Sequence, residues 1–197
     1  MMKFKAINSP QGSKPHYILT ALVSYDYYSA IGQSMNIISY SNISTSVGDI
    51  FIISGKEGIT NLIFGKERFI GFKTNLDEKL LVEGGRAEES AKELELYLDG
   101  RLKHFIRNPV ALLGTPFQVL VWKGLMQIPY GQVISYNELA NRIGRPNSAR
   151  AVGNAVGANP IPIIVPCHRV VSSRGLGGYS SGIEIKKKLL RLEGSIV

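Results

Sequence analysis

The sequence predicts an α+β protein: a small antiparallel-sheet lobe with one helix, followed by a mostly helical domain that contains a helix-turn-helix. Three observations predict it. Short β-branched runs separated by turn residues follow Met35, apolar residues at helical spacing with clear start and stop signals fill the second half, and the basic excess lies in the last third.

Residues 1–34 stand apart. They hold Pro10, Gly12 and Pro15, then a tyrosine-rich apolar stretch from Tyr17 to Ile31 with neither period. They are expected to be a dispensable extension, with Met35 as the functional start. The lobe is assigned to residues 35–106. Ile37 to Tyr40, Ile50 to Ile53 and Leu62 to Phe64 read as antiparallel strands because turn chemistry such as Ser54-Gly55-Lys56-Glu57-Gly58 divides them. A helix over residues 87–99 puts Ala87, Ala91, Leu94 and Leu98 on one face, and Gly100 stands at its C-terminal cap. Residues 107–114, with Pro109, read as a linker.

The domain at residues 115–197 opens on Thr115-Pro116-Phe117-Gln118, a capping box with proline at the first helical position. Phe117, Leu120, Val121 and Leu125 form the stripe, and Pro129-Tyr130-Gly131 ends the helix. A second capping box, Ser135 to Glu138, starts a helix that buries Leu139, Ala140 and Ile143 and stops at Gly144. A third helix over residues 147–156 turns Ala151, Val152 and Ala155 inward and carries Arg150 in its first turn. Two short helices joined by a tight glycine-containing turn match the helix-turn-helix pattern. The last helix, residues 183–193, keeps Ile185, Leu189 and Leu192 on one face and sends Lys186, Lys187 and Lys188 mostly into solvent.

Composition narrows the classes. A chain of 197 residues can bury a core without covalent staples, and a single cysteine allows no internal disulfide. One Cys and three His make a structural zinc site an unsuitable reading, so no metal is expected. No run approaches the ~18 apolar residues of a membrane helix, and no secretory signal pattern opens the chain, so a cytoplasmic, soluble protein is expected. The net charge of +8 is distributed as +2 over residues 1–34, zero over residues 35–134 and +6 over residues 135–197. Such a concentration suits contact with a phosphate backbone, although on charge alone a merely soluble basic surface explains it equally well.

The candidate nucleophile is Cys167. A free thiol titrates near about 8.5, so it needs a base or a positive field, and His168 follows it directly. Neighbours in a strand point to opposite faces, so the pair can cooperate only if Pro166 forces a turn. Taken alone, a Cys-His pair is more often structural.

The longer string changes that balance. Asn159-Pro160-Ile161-Pro162-Ile163-Ile164-Val165-Pro166-Cys167-His168-Arg169-Val170, with Arg150-Ala151-Val152-Gly153 before it and Gly177-Gly178-Tyr179 after it, resembles the O6-alkylguanine-DNA alkyltransferase family. The resemblance runs in order from Thr115 to Gly194 and is only an outline from Met35 to Arg107. It implies direct-reversal repair: the Cys167 thiolate takes the alkyl group from guanine O6 in double-stranded DNA, irreversibly, one lesion per protein. It also implies that His168 activates the thiol through a water, that Glu193 orients His168, and that Asn159 supports the turn. Tyr136 is implied as donor to the guanine N3, and the backbone N–H of Ser180 as donor to O6. The main-chain carbonyls of Cys167 and Val170 would take the exocyclic amine, and Pro162 and Tyr179 would wall the pocket. Arg150 is implied as a finger that fills the space of a flipped-out base, with Ala151 and Gly153 permitting close approach to the minor groove. No cofactor is needed, and a monomer is expected.

Two departures stand out. Ser181 occupies a position where the family often has glycine, which predicts slower reaction with benzyl-type than with methyl adducts. The zinc-binding cysteines of some members' first lobes are missing. The competing readings are a lesion-binding protein without transfer, a cysteine hydrolase, and a regulator that reads one operator. Turnover of a thioester would mark the hydrolase, and strong preference for one DNA sequence regardless of alkylation would mark the regulator.

Overall fold

The computed structural model describes residues 38–76, 81–106 and 109–196. The proposed extension, the start of the first strand at Ile37 and part of the linker lie outside the described residues. The Ile-rich runs form β1 (Ile38–Thr45), β2 (Gly48–Gly55) and β3 (Gly58–Phe64), and a short β4 (Leu81–Glu83) completes a sheet of order β3-β2-β1-β4. The β1–β2 and β2–β3 pairs are antiparallel as expected, whereas β4 runs parallel to β1. Three residues with two exposed side chains carry too little hydrophobic alternation for β4 to stand out in the sequence.

Alternation along β2 sends its side chains to two different cores. Ile50 and Ile52 face α2 (Arg86–Leu98), which presents Ala87, Ala91, Leu94 and Tyr97, whereas Phe51 and Ile53 face α1 (Lys66–Lys73) through Phe69 and Phe72. The Phe51 and Phe69 rings stack with centroids 4.1 Å apart. Helix α1 is an addition to the expected layout; it begins at Gly65 without a side-chain cap and buries only those two phenylalanines, so no capping signal or apolar stripe marks it. Helix α2 ends as predicted, with Gly100 left-handed at φ 72.

The second half follows as α3 (Pro116–Met126), β5 (Ile134–Ser135), α4 (Tyr136–Arg142), α5 (Ala149–Gly157), a 3₁₀ turn (Cys167–Arg169), β6 (Val170–Val171) and α6 (Ile183–Leu192). The Thr115 capping box is complete in both directions. The second is half formed: Ser135 caps Glu138 N–H at 3.1 Å, but the Glu138 carboxylate turns to Arg142 at 2.6 Å. Helix α5 starts two residues later than expected because Asn147 is left-handed at φ 64. Ala151, expected to face inward, is exposed, and Val152, Ala155 and Val156 make the buried face. Trp122 Nε1 of α3 donates to Ala155 O at 2.8 Å, tying the first helix to the second member of the helix-turn-helix.

One buried cluster runs from β2, β3 and α2 into α3, α5 and the segment before Cys167, so the lobe and the helical domain share a core. The edge strand β3 supplies direct links: Leu62 N–H donates to Pro160 O at 2.9 Å, and Ile59 N–H to Pro109 O at 2.9 Å. No helix among the described residues is long and apolar enough to cross a membrane.

Candidate active site

Three local devices bring the site together. First, Asn159 spans the proline-rich loop, its side-chain Nδ2 donating to Val165 O at 2.8 Å and its Oδ1 accepting from Ile161 N–H at 3.0 Å. That brace holds Ile163 left-handed at φ 75, a conformation a β-branched residue adopts only under external constraint. Second, Pro166 redirects the chain (ψ 64) into the 3₁₀ turn, so Cys167 and His168 are not strand neighbours on opposite faces. Third, β5 pairs in parallel with β6, Ser135 opposite Val171, which sets Tyr136 at the start of α4 beside the turn.

The turn leaves Cys167 only 3% exposed, at a cavity of about 310 Å³. Tyr136, Gly153, Val156, Gly157, Gly178, Tyr179 and Ser180 complete its lining. The volume is at the small end for a ligand site and suits a single flat group. Gly177 packs on Tyr136 so closely that an added Cβ would lie 3.1 Å from the phenol oxygen. The glycine-rich loop is therefore what admits the tyrosine ring. Of the expected pocket residues, Tyr179 and Ser180 line the cavity and Pro162, Val170 and Ser181 do not. Pro162 is buried in a bridge with Val165, Ser181 is half-buried in the loop, and Val170 O accepts from Lys186 Nζ at 2.6 Å. Arg150 and Ala151 are exposed on the first turn of α5, and Gly153 of the same helix reaches the cavity.

His168 is fully buried, its Nε2 lying 2.8 Å from Glu193 Oε1 and its Nδ1 without a hydrogen-bond partner among the described residues. A carboxylate only accepts, so Nε2 carries the proton and Nδ1 keeps the lone pair. Burial holds the imidazole below its ordinary pKa, against the pull of Glu193. Burial opposes ionisation of Glu193, but hydrogen bonds from His168 and Arg169 outweigh it and bring the carboxyl down to about 2. Burial also pushes the Cys167 thiol up to about 11, opposed by the Asn159 side chain and the Lys186 ammonium. At neutral pH the resting cysteine is a thiol and requires a base.

Sequence reasoning missed four contributors. Arg169 clasps Glu193 through Nε (3.0 Å to Oε2) and Nη2 (2.8 Å to Oε1) and donates from Nη1 to Ile128 O at 2.6 Å. Tyr97 of α2 donates to Glu193 Oε1, and Gly131 N–H donates to Oε2 at 3.1 Å. Lys186, expected in solvent, is wholly buried and donates to the carbonyls of Val170 (2.6 Å), Leu176 (2.5 Å) and Gly178 (3.3 Å), fastening the loop that follows the nucleophile. Its helical phase held the signal: it lies three and four residues before buried Leu189 and Leu190 and seven before Glu193.

Comparison with known proteins identifies the family. Residues 116–195 match the family model described as the DNA-binding domain of 6-O-methylguanine DNA methyltransferase. The chain is 45% identical over 153 residues to the inducible methylated-DNA–protein-cysteine methyltransferase of Bacillus subtilis, covering 76% of this chain and 81% of that protein. It is 41% identical over 159 residues to the methylated-DNA–protein-cysteine methyltransferase of Methanosarcina acetivorans, covering 79% of this chain and 98% of that one. The crystal structure of Mycobacterium tuberculosis O6-methylguanine methyltransferase matches with a TM-score of 0.68 at 37% identity, over 82% of this chain and 95% of that chain. That of Mycobacterium tuberculosis OGT in complex with DNA matches at 0.68 and 39% identity, over 80% of this chain and 93% of that chain. With 41% identity over 79% of its length to a relative that it covers to 98%, the chain belongs to the methylated-DNA–protein-cysteine methyltransferase family.

Proposed function

We infer that this chain repairs DNA by direct reversal, transferring the alkyl group of O6-alkylguanine in double-stranded DNA to Cys167. The observation that carries the reading is the meeting, at one small cavity, of the only cysteine and Tyr136, with a buried His-Glu pair behind the cysteine. A base stacked in duplex hides its substituent, so the target is flipped out at a cost of about a few kcal/mol. Arg150 and Ala151, exposed on α5, enter the minor groove, the guanidinium filling the vacated stack, while Gly153 allows close approach.

Chemistry then follows from the groups present. The thiol proton passes through a water to His168 Nδ1, and the imidazolium formed is stabilised by Glu193. The Cys167 sulfur attacks the alkyl carbon, a C–S bond forms, the C–O6 bond breaks, and its electron pair goes to the guanine, which takes up a proton at N1 in place of the one the thiol lost. Donation from Tyr136 to N3 and from the Ser180 N–H to O6 stabilises the developing charge. Asn159 holds the turn, Tyr179 covers the base, and Pro162, Val170 and Ser181 support the loops around it. The product is a thioether with no polarised carbonyl for water to attack, so the transfer is stoichiometric. The protein acts as a monomer without cofactor, residues 115–197 binding DNA and transferring the group while residues 35–106 form the supporting lobe, joined through 107–114.

Titration tests this reading. Increasing amounts of duplex carrying labelled O6-methylguanine are added to a fixed amount of protein, and the label on protein is counted. A plateau of one methyl per chain, absent in Cys167→Ala, is expected; multiple turnover, or transfer by the alanine variant, would overturn it.

A further inference from the structure

Tyr97 lies outside the helical domain, on α2 of the first lobe, yet its hydroxyl reaches the carboxylate behind the nucleophile. It donates to Glu193 Oε1 and lies 3.5 Å from His168 Nε2, so both donors converge on one oxygen that also takes Arg169 Nη2 at 2.8 Å. The ring is fully buried against Phe105 (centroids 5.1 Å apart) and meets Tyr130 edge-on at 6.0 Å. Packing alone explains the ring. It does not explain an oriented hydroxyl on a carboxylate already held by an arginine.

We propose that Tyr97 is a positioning residue for alkyl transfer: its hydroxyl takes up part of the charge on Glu193 Oε1 and so keeps His168 a neutral base with its lone pair on Nδ1. The inference rests on the function proposed above. An unshared carboxylate beside Nε2 favours imidazolium, and an imidazolium at rest has no lone pair with which to accept the thiol proton. Four groups from three elements bear on the imidazole. Glu193 favours its charged form, Arg169 and Lys186 oppose it, and Tyr97 weakens Glu193; Tyr130 stands behind, over the Arg169 guanidinium at 5.8 Å. The first lobe thus contributes to the acid–base poise of a reaction carried out by the second half of the chain.

Tyr97→Phe deletes the hydroxyl and keeps the ring. The sign follows: with one donor removed, Glu193 draws a proton onto His168 more strongly, His168 titrates higher, and the base is lost at a higher pH as the solution is acidified. In the full chain without DNA, the His168 midpoint is read by NMR of labelled histidine, with His16→Gln and His104→Gln variants to assign signals. It is expected to rise by about one pH unit in Tyr97→Phe. The acid limb of the single-turnover rate on O6-methylguanine duplex is expected to rise with it. A slower Tyr97→Phe with both midpoints unmoved would reduce Tyr97 to packing and overturn the proposal. Should that variant not fold, a fluorotyrosine placed at position 97 decides, since it keeps the ring and makes the hydroxyl a stronger donor to Glu193: a lower His168 midpoint supports the proposal, and an unmoved one overturns it. Because the histidine titration uses no DNA, a wild type inactive on methylated duplex would sink the proposed function while the His168 midpoint still judges Tyr97.

Discussion

Replacing Glu193 by glutamine keeps the size of the side chain but removes the charge on which Tyr97, His168, Arg169 and the Gly131 N–H converge. The stability at stake can be worked from the titration of Glu193. Its carboxyl is brought from the ordinary 4.5 to about 2. A gap of that size corresponds to about 3 kcal/mol of preferential binding of the ionised form in the folded state. A second route agrees: removing one partner of a buried ion pair costs about 3–5 kcal/mol because the other charge stays buried. Here the stranded charge is the Arg169 guanidinium, left with neutral acceptors, Ile128 O and the glutamine's amide oxygen, in place of a carboxylate. The sign is that of a depressed acid: the contribution is complete above the unfolded value and is lost as pH falls through about 2. Urea unfolding of Glu193→Gln and wild type at neutral and acidic pH should give a difference of about 3 kcal/mol at pH 7 that narrows below pH 4.5. A difference under about 1 kcal/mol at pH 7, or one that does not change with pH, would refute the reasoning.

Three further outcomes are expected. Lys186→Met removes the ammonium that pulls the Cys167 thiol down, so iodoacetamide labelling without DNA should slow several-fold at pH 7. Gly177→Ala places a Cβ 3.1 Å from the Tyr136 oxygen at a residue with φ 70; displacing that donor should slow single-turnover transfer about ten-fold, the effect of about 1.4 kcal/mol. Arg150→Ala should slow transfer from duplex while leaving transfer from the free alkylated base unchanged, since only the duplex requires a filled stack; equal loss on both substrates would contradict its role.

Wherever structure follows local chemistry, the sequence carried it plainly. The Thr115 capping box and the glycine caps at Gly100 and Gly144 are set by neighbouring residues, and each forms; helix α3 ends at Met126, ahead of the expected stop at Pro129-Tyr130-Gly131, and the turn at Pro166, on which cooperation of Cys167 with His168 depended, is present. The site's centre was legible through the family resemblance, which runs in order from Thr115 to Gly194 and implied Asn159, Tyr136 and Glu193 alongside Cys167 and His168. Hidden from view were contacts made across the fold. Nothing around Tyr97 says that its hydroxyl meets a carboxylate 96 residues later. Lys186 sits in a run of three lysines that composition assigns to solvent, and only its three carbonyl partners account for its burial. Helix α1 likewise depends on a partner, the second face of β2, rather than on any cap or stripe of its own.

Alkyl transfer by this chain forms a sulfur–carbon bond at one residue, Cys167. After the protein is incubated with duplex carrying isotope-labelled O6-methylguanine, proteolysis and peptide mass spectrometry locate the label. S-methylcysteine at Cys167, stable in water, and restored guanine in the DNA are expected. Label at any other residue, or guanine restored with no label on the protein, would contradict it.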